Sequence, residues 1–213
     1  MLGMCSVTAA STGAIIGAGA FVPWLVRRQR LPDRLSTLLL APTQTSVDNL
    51  AREGISAGVH FTGDVMLDAF LKCAPTARER STVLHRLGLQ TGQYVYATVH
   101  RARNTDQPGR LGAIVQALSM LDGRVVLPLH PRTRQRLQSF GLWDMVADAS
   151  NILPSEPVGY LDSLMLTLNA SNVVTDSGGL QREAYFAGVP CVTLDNVTPW
   201  PETVTTGWNI LAG

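Results

Sequence analysis

The segment Val173-Val174-Thr175-Asp176-Ser177-Gly178-Gly179-Leu180-Gln181-Arg182-Glu183-Ala184 holds the most specific arrangement of polar groups in the chain. A short apolar run meets a serine and two glycines, and a helical pattern starts at once. Gly178 and Gly179 let backbone approach a ligand closely, and the open N–H groups of a helix start favour a phosphate. Ser177 can add a hydroxyl donor. Glu183 falls within two turns of that start, where a carboxylate can accept from ribose hydroxyls. The same residues also describe a plain helix capped by Ser177, with the glycines serving a tight turn. No Gly-Lys-Ser/Thr follows, so this is not a P-loop, and nothing completes a dinucleotide fingerprint.

Two histidines close two other apolar runs. His100 and Arg101 follow Tyr94 to Val99, bringing an imidazole and a guanidinium to a point where they could meet an anion. A solvated loop accounts for that segment equally well. His130 follows Val125 to Leu129. A lone histidine there is more often hydrogen-bonded structure, but two histidines at two strand ends on one side make a constellation. Cys5, Cys73 and Cys191 have no metal-ligand spacing and suit a reducing compartment better than a disulfide framework.

The elements that must position these groups alternate. Strands are expected at Leu38 to Ala41, Val59 to Thr62, Tyr94 to Val99, Val125 to Leu129, Ile152-Leu153, Val173 to Thr175 and Pro190 to Leu194. Helices are expected at Thr45 to Glu53 (capped by Thr45 or Ser46), Val65 to Lys72, Ser81 to Leu87, Leu111 to Leu121, Pro131 to about Phe140, Leu161 to Asn169 and Gly179 to Phe186. Strands alternating with helices of about ten residues imply an α/β fold with a parallel sheet covered on both faces. In such sheets ligands bind beyond the carboxyl ends of the strands, where all three polar segments lie.

Composition narrows the function further. With 46% hydrophobic and 15% charged residues in 213, the chain is a folded one. A formal charge of +1 argues against a nucleic-acid binder resting on a basic field. The run Arg132, Arg134, Arg136 reads as a solvated helix face. Val7 to Val26 carries no charge and is apolar enough to raise a membrane span, but small and hydroxylated residues dilute it, and a buried glycine-rich piece of an α/β domain is the preferred reading.

Taken in order, the runs resemble the non-hydrolysing UDP-N-acetylglucosamine 2-epimerases. The matching pieces are Leu39-Leu40-Ala41-Pro42-Thr43, Gly63 to Asp68, His100-Arg101-Ala102 with Asn104-Thr105-Asp106, His130-Pro131-Arg132-Thr133, Gly159-Tyr160-Leu161-Asp162, Thr175 to Gln181, Pro201-Glu202-Thr203-Val204 and Gly207-Trp208-Asn209. The resemblance implies half of a two-domain glycosyltransferase-B-type fold with Rossmann-like sheets: residues 1–62 as the remnant of a first domain (1–30 divergent), and 63–213 as a UDP-binding second domain lacking its C-terminal helix. It implies an isomerase reaction, UDP-N-acetylglucosamine to UDP-N-acetylmannosamine by elimination and re-addition of UDP. Ser177, Gly178 and Gly179 would bind the phosphates and Glu183 the ribose. His100 would act beside the diphosphate and the reacting sugar, with Arg101 and His130 near it. It implies no cofactor, no metal, a UDP-sugar as partner, no stable membrane insertion, a homodimer in the complete family member, and cytoplasmic work in cell-surface polysaccharide biosynthesis.

Departures from the family pattern point to a truncated or degenerate copy. Trp24 and Leu25 stand where family glutamates belong, Arg103 and Arg182 replace glutamates, and Asp195 replaces an arginine. Pro199 replaces a glutamate, and Ser163 stands where an aromatic would stack on uracil. Two rival expectations follow: a non-catalytic nucleotide-sugar-binding domain, or half of a nucleotide-sugar glycosyltransferase.

Overall fold

The computed structural model describes strand residues 7–9 and residues 33–213. Most of the uncharged run, including Trp24 and Leu25, lies outside the described residues. Its first part, β1 (Val7–Ala9), is a strand. No helix among the described residues is long and apolar enough to cross a membrane. The chain divides into two compact units, one reaching to Asp68 and including Val197–Pro201, the other Ala69–Asn196 with Glu202–Gly213.

In the first unit β1, β2 (Leu38–Ala41) and β3 (Val59–Phe61) form a three-stranded parallel sheet. Leu39 and Leu50 are fully buried with Ile55 and Val59 against them. Helix α1 (Gln44–Arg52) is capped by Thr43, whose hydroxyl accepts from the Ser46 N–H at 3.1 Å. The cap therefore sits ahead of the expected Thr45 or Ser46. Directly after Pro42, Thr43 is extended, which is the backbone a cap needs, and Ser46 supplies the N–H being capped. Gly58 is required where it stands: its φ is +74°, and a Cβ would lie 2.4 Å from the Thr37 carbonyl oxygen.

In the second unit six parallel strands carry the fold. They are β4 (Tyr94–Thr98), β5 (Arg124–Pro128), β6 (Ile152–Ser155), β7 (Asn172–Thr175), β8 (Cys191–Thr193) and β9 (Asn209–Leu211), in the spatial order β6-β5-β4-β7-β8-β9. The chain steps outward from β4 in one direction, then returns to lay β7 against β4's other edge. That reversal opens a crevice between the carboxyl ends of β4 and β7.

Strand side chains alternate between two cores. Ala97, Val125, Leu127 and Val174 face one, with Leu111, Ile114, Val115 and Leu118 of α5 (Pro108–Ser119), Leu137 of α6 (Pro131–Ser139) and Val146 of α7 (Trp143–Ala147). Tyr94, Tyr96, Val126 and Val173 face the other, with Val83 of α3 (Val83–Arg86), Leu166 of α8 (Tyr160–Asn169), and Leu180 and Ala184 of α9 (Gly178–Ala187). This is the period-2 pattern of a sheet buried on both faces. Helix α2 (Val65–Arg80) runs eight residues past the expected Lys72, through Pro75. Phe70, Ala74 and Ala77 form its buried stripe, and Phe70 meets Phe186 edge-on at 5.8 Å. Continuous burial of that stripe offsets the roughly 3 kcal/mol cost of an interior proline.

Short elements beyond the expected set include β9 and a helix at Pro201–Thr205. The loop after β4 contains a single turn, α4 (Ala102–Thr105), and α7 follows Gly141 where no helix is expected. The arginines of α6 are not a free solvated face. Arg132 and Arg136 both bond Asp106, and Arg134 bonds Glu156 at 2.6 Å. The Arg132 hydrogen bond, supported by Arg136, holds the Asp106 carboxyl below the usual carboxylate range.

Candidate functional site

The crevice at the strand reversal collects most of the polar residues singled out in the sequence. One depression of about 230 Å³ is lined by Tyr96, Thr98, His100, Ser163, Ser177, Gly179, Leu180 and Glu183. An adjoining one of about 220 Å³ shares Tyr96, Thr98, His100 and Ser163 and adds His130. His100 and His130 lie with ring centroids 6.3 Å apart, so the two-histidine constellation is formed. Two predicted residues do not line either depression. Arg101 contributes a main-chain N–H to the loop instead, and Gly178 is the first residue of α9.

Ser177 caps α9, its hydroxyl accepting from Leu180 N–H at 3.3 Å, and its own N–H is held by Thr175 Oγ1 at 2.9 Å. Gly179 faces the depression. A Cβ there would meet only Ser177 Oγ, at 3.8 Å, and its φ is not in the left-handed region. Neither packing nor backbone conformation requires glycine at this position. At the C-terminus of α9, Gly188 is left-handed, as such a helix end needs.

Glu183 is 6% exposed. Burial raises its pKa above the ordinary glutamate value, opposed by Tyr160 and by the Arg182 charge. Tyr160 is pushed up to about 12, by burial first and then by Glu183. Tyr96 is likewise pushed up to about 12 by burial, and its hydroxyl pairs with Ser163 Oγ at 3.0 Å. Tyr96, held by Ser163, and the buried carboxyl of Glu183 therefore line the same depression.

Asp176 is the functional residue that sequence reading under-used. Its side chain is fully buried and accepts from the N–H groups of His100 (3.1 Å) and Arg101 (2.9 Å) and from Asn104 Nδ2 (3.0 Å). His100 Nδ1 lies 3.2 Å from Asp176 Oδ1. Asp176 thus belongs to the support of the His100 loop. The signal was available: an acid following Val173-Val174-Thr175 is carried into a buried sheet end and must find donors there.

Asn104 passes the network on, donating to the Leu194 carbonyl at 3.1 Å and accepting from Arg110 Nε at 2.6 Å. Beside it, Arg103 Nη1 bonds Asp195 Oδ1 at 2.6 Å. Read singly, these two positions looked like lost charges. They are one ion pair. Among the described residues no group of three His, Cys, Asp or Glu is placed to hold a metal ion.

Residues 26–213 match the model of the UDP-N-acetylglucosamine 2-epimerase family. The chain belongs to this family. A UDP-N-acetylglucosamine 2-epimerase homolog of Methanococcus maripaludis is 43% identical over 184 residues, covering 86% of this chain and 52% of its own length. The UDP-2,3-diacetamido-2,3-dideoxy-D-glucuronate 2-epimerase of Pseudomonas aeruginosa is also 43% identical, over 189 residues, with 86% and 50% covered. The crystal structure of the Methanocaldococcus jannaschii UDP-GlcNAc 2-epimerase, in complex with UDP-GlcNAc and UDP, superposes with a TM-score of 0.81 at 39% identity, over 87% of this chain and 52% of that one. The parallel α/β architecture expected from the sequence is thus the fold of solved family members. The chain spans about half the length of the curated relatives it matches.

Proposed function

We propose that this chain is the nucleotide-sugar-holding part of a UDP-N-acetylglucosamine 2-epimerase. The observation that carries the reading is the convergence of His100, Ser177, Gly179 and Glu183 on one depression at the sheet's reversal point. The helix start of α9 offers N–H groups and a positive dipole end to the diphosphate. Glu183, pre-oriented by Tyr160, accepts from the ribose hydroxyls. His100, backed by the Asp176 carboxylate, offers its imidazole as a hydrogen-bond donor where the diphosphate departs.

The reaction is anti-elimination of UDP across C1 and C2, followed by re-addition with inversion at C2. It needs a base at C2 as well as stabilisation of departing UDP. This chain's residues serve the second requirement. The two relatives at 43% identity bear names with different 2-epimerised sugars, so the substrate class is a UDP-linked 2-acetamido sugar, with UDP-N-acetylglucosamine as the test compound. The same reading places the work in the cytoplasm, supplying activated sugar for cell-surface polysaccharide, with a homodimer as the complete assembly.

The carboxylates that family glutamates would provide are replaced by Trp24 and Leu25, which favours a second reading, a binding domain without turnover. Both readings require the nucleotide sugar to bind. Saturation-transfer NMR with UDP-N-acetylglucosamine should show transfer to the uridine protons, abolished by added UDP. Absence of transfer, or transfer that UDP leaves unchanged, would overturn the proposal.

A further inference from the structure

We propose that Arg103 and Asp195 are positioning residues whose ion pair sets the place of His100. The loop leaving β4 is tied to two neighbouring strand ends. Asp176, after β7, holds the main chain at His100 and Arg101. Leu194 and Asp195, after β8, hold Asn104 and Arg103. The second tie falls on the first turn of α4, three residues past His100, so a sideways slip of that turn would swing the imidazole relative to the Ser177–Gly179 helix start.

Asp195 is built to receive the guanidinium. Its carboxylate is 11% exposed and already accepts from the Asn196 N–H at 2.8 Å, so it is pre-oriented before Arg103 arrives at 2.6 Å. An exposed ion pair contributes little to stability, but one near-buried partner makes the pair a directional constraint. Coulomb attraction does not depend on which side carries which sign. A charge-swapped pair at 103 and 195 would therefore keep the tie.

The inference rests on the nucleotide reading for its ligand readout only. Arg103→Glu, Asp195→Arg and the double variant are compared in the full chain by UDP calorimetry and by the ring resonances of His100. Each single reversal should weaken UDP binding by about fivefold, and the double should return it to within about twofold. The His100 resonances should move in both singles and return in the double. A double variant no better than the worse single, or singles that leave His100 unmoved, would overturn the proposal. If Asp195→Arg does not fold, Arg103→Gln at the half-exposed end must still move the His100 resonances, and their staying put counts against the proposal. If the unaltered chain binds no UDP, the nucleotide reading fails, while the resonances still decide the tie.

Discussion

The Asp176 carboxylate accepts from the main-chain N–H of His100, 76 residues away, at 3.1 Å with one oxygen, and that same oxygen lies 3.2 Å from His100 Nδ1. One buried group thus contacts both the backbone and the ring of a residue that lines the same depression as Ser177 and Gly179. Asp176→Ala leaves the N–H groups of His100 and Arg101 and the amide of Asn104 without their acceptor. Each unsatisfied buried donor costs about 1–3 kcal/mol, and part of that is relieved by water. Urea unfolding should show a loss of about 3 kcal/mol. A loss under about 0.5 kcal/mol would show that the carboxylate does not hold the loop.

Glu183 should oppose stability while serving binding. Burial raises its folded-state pKa above 4.5, so the native state binds the proton more tightly than the unfolded chain. Stability contributed by this group is full below 4.5 and is lost as pH rises through the raised value. Glu183→Gln, which keeps an acceptor for Tyr160, should therefore be more stable than the unaltered chain at pH 7. The advantage should fade on acidification towards the ordinary glutamate range, as followed by thermal melts across pH. UDP binding should weaken in the same variant. A variant less stable at neutral pH would contradict the burial argument.

Ser163 is the position at which an aromatic ring can be added to the site. Stacking on a base contributes about 1–3 kcal/mol. Against this, Ser163→Phe removes the partner of the Tyr96 hydroxyl, and losing such a bond costs the fold about 1 kcal/mol. The stacking gain acts on the complex and the lost bond acts on the fold. Calorimetry should show UDP binding several-fold tighter in a chain that melts slightly lower. Unchanged or weaker binding would place the uracil elsewhere.

The 213-residue chain on its own should exchange no deuterium at C2 of UDP-N-acetylglucosamine. In the proposed function Glu183 holds the ribose, Asp176 is tied to the His100 loop, and general acid–base catalysis is typically worth about 10²- to 10⁴-fold. Mass spectrometry of the sugar after incubation in D2O reads even one abortive proton removal. Exchange above the buffer control would assign the base to this chain.

The parallel sheet was legible because β4, β5 and β7 carry apolar residues at their centres and are bounded by polar or turn residues. The clustering of polar residues was legible where it follows from local pattern, as at Ser177, Gly179 and Glu183, which line one depression. What escaped depends on partners distant in sequence. The role of Asp176 is fixed by donors on the neighbouring strand's loop. The arginines of α6 find Asp106 and Glu156 between 22 and 30 residues away. The turn α4 is four residues long and owes its place to those ties rather than to any apolar period. Likewise β9 is a three-residue edge strand whose central Ile210 is exposed, so no burial pattern announces it.

The central claim is that the UDP diphosphate sits on the start of α9. Calorimetric titration of UDP into the full chain and into Gly179→Leu tests it most directly. A Cβ at this position would touch only Ser177 Oγ, at 3.8 Å, and replacing a helical glycine favours the helix, so the melting temperature should hold or rise. UDP affinity should fall by more than about tenfold, or 1.4 kcal/mol. Equal affinity in the two chains, with both folded, would contradict the account.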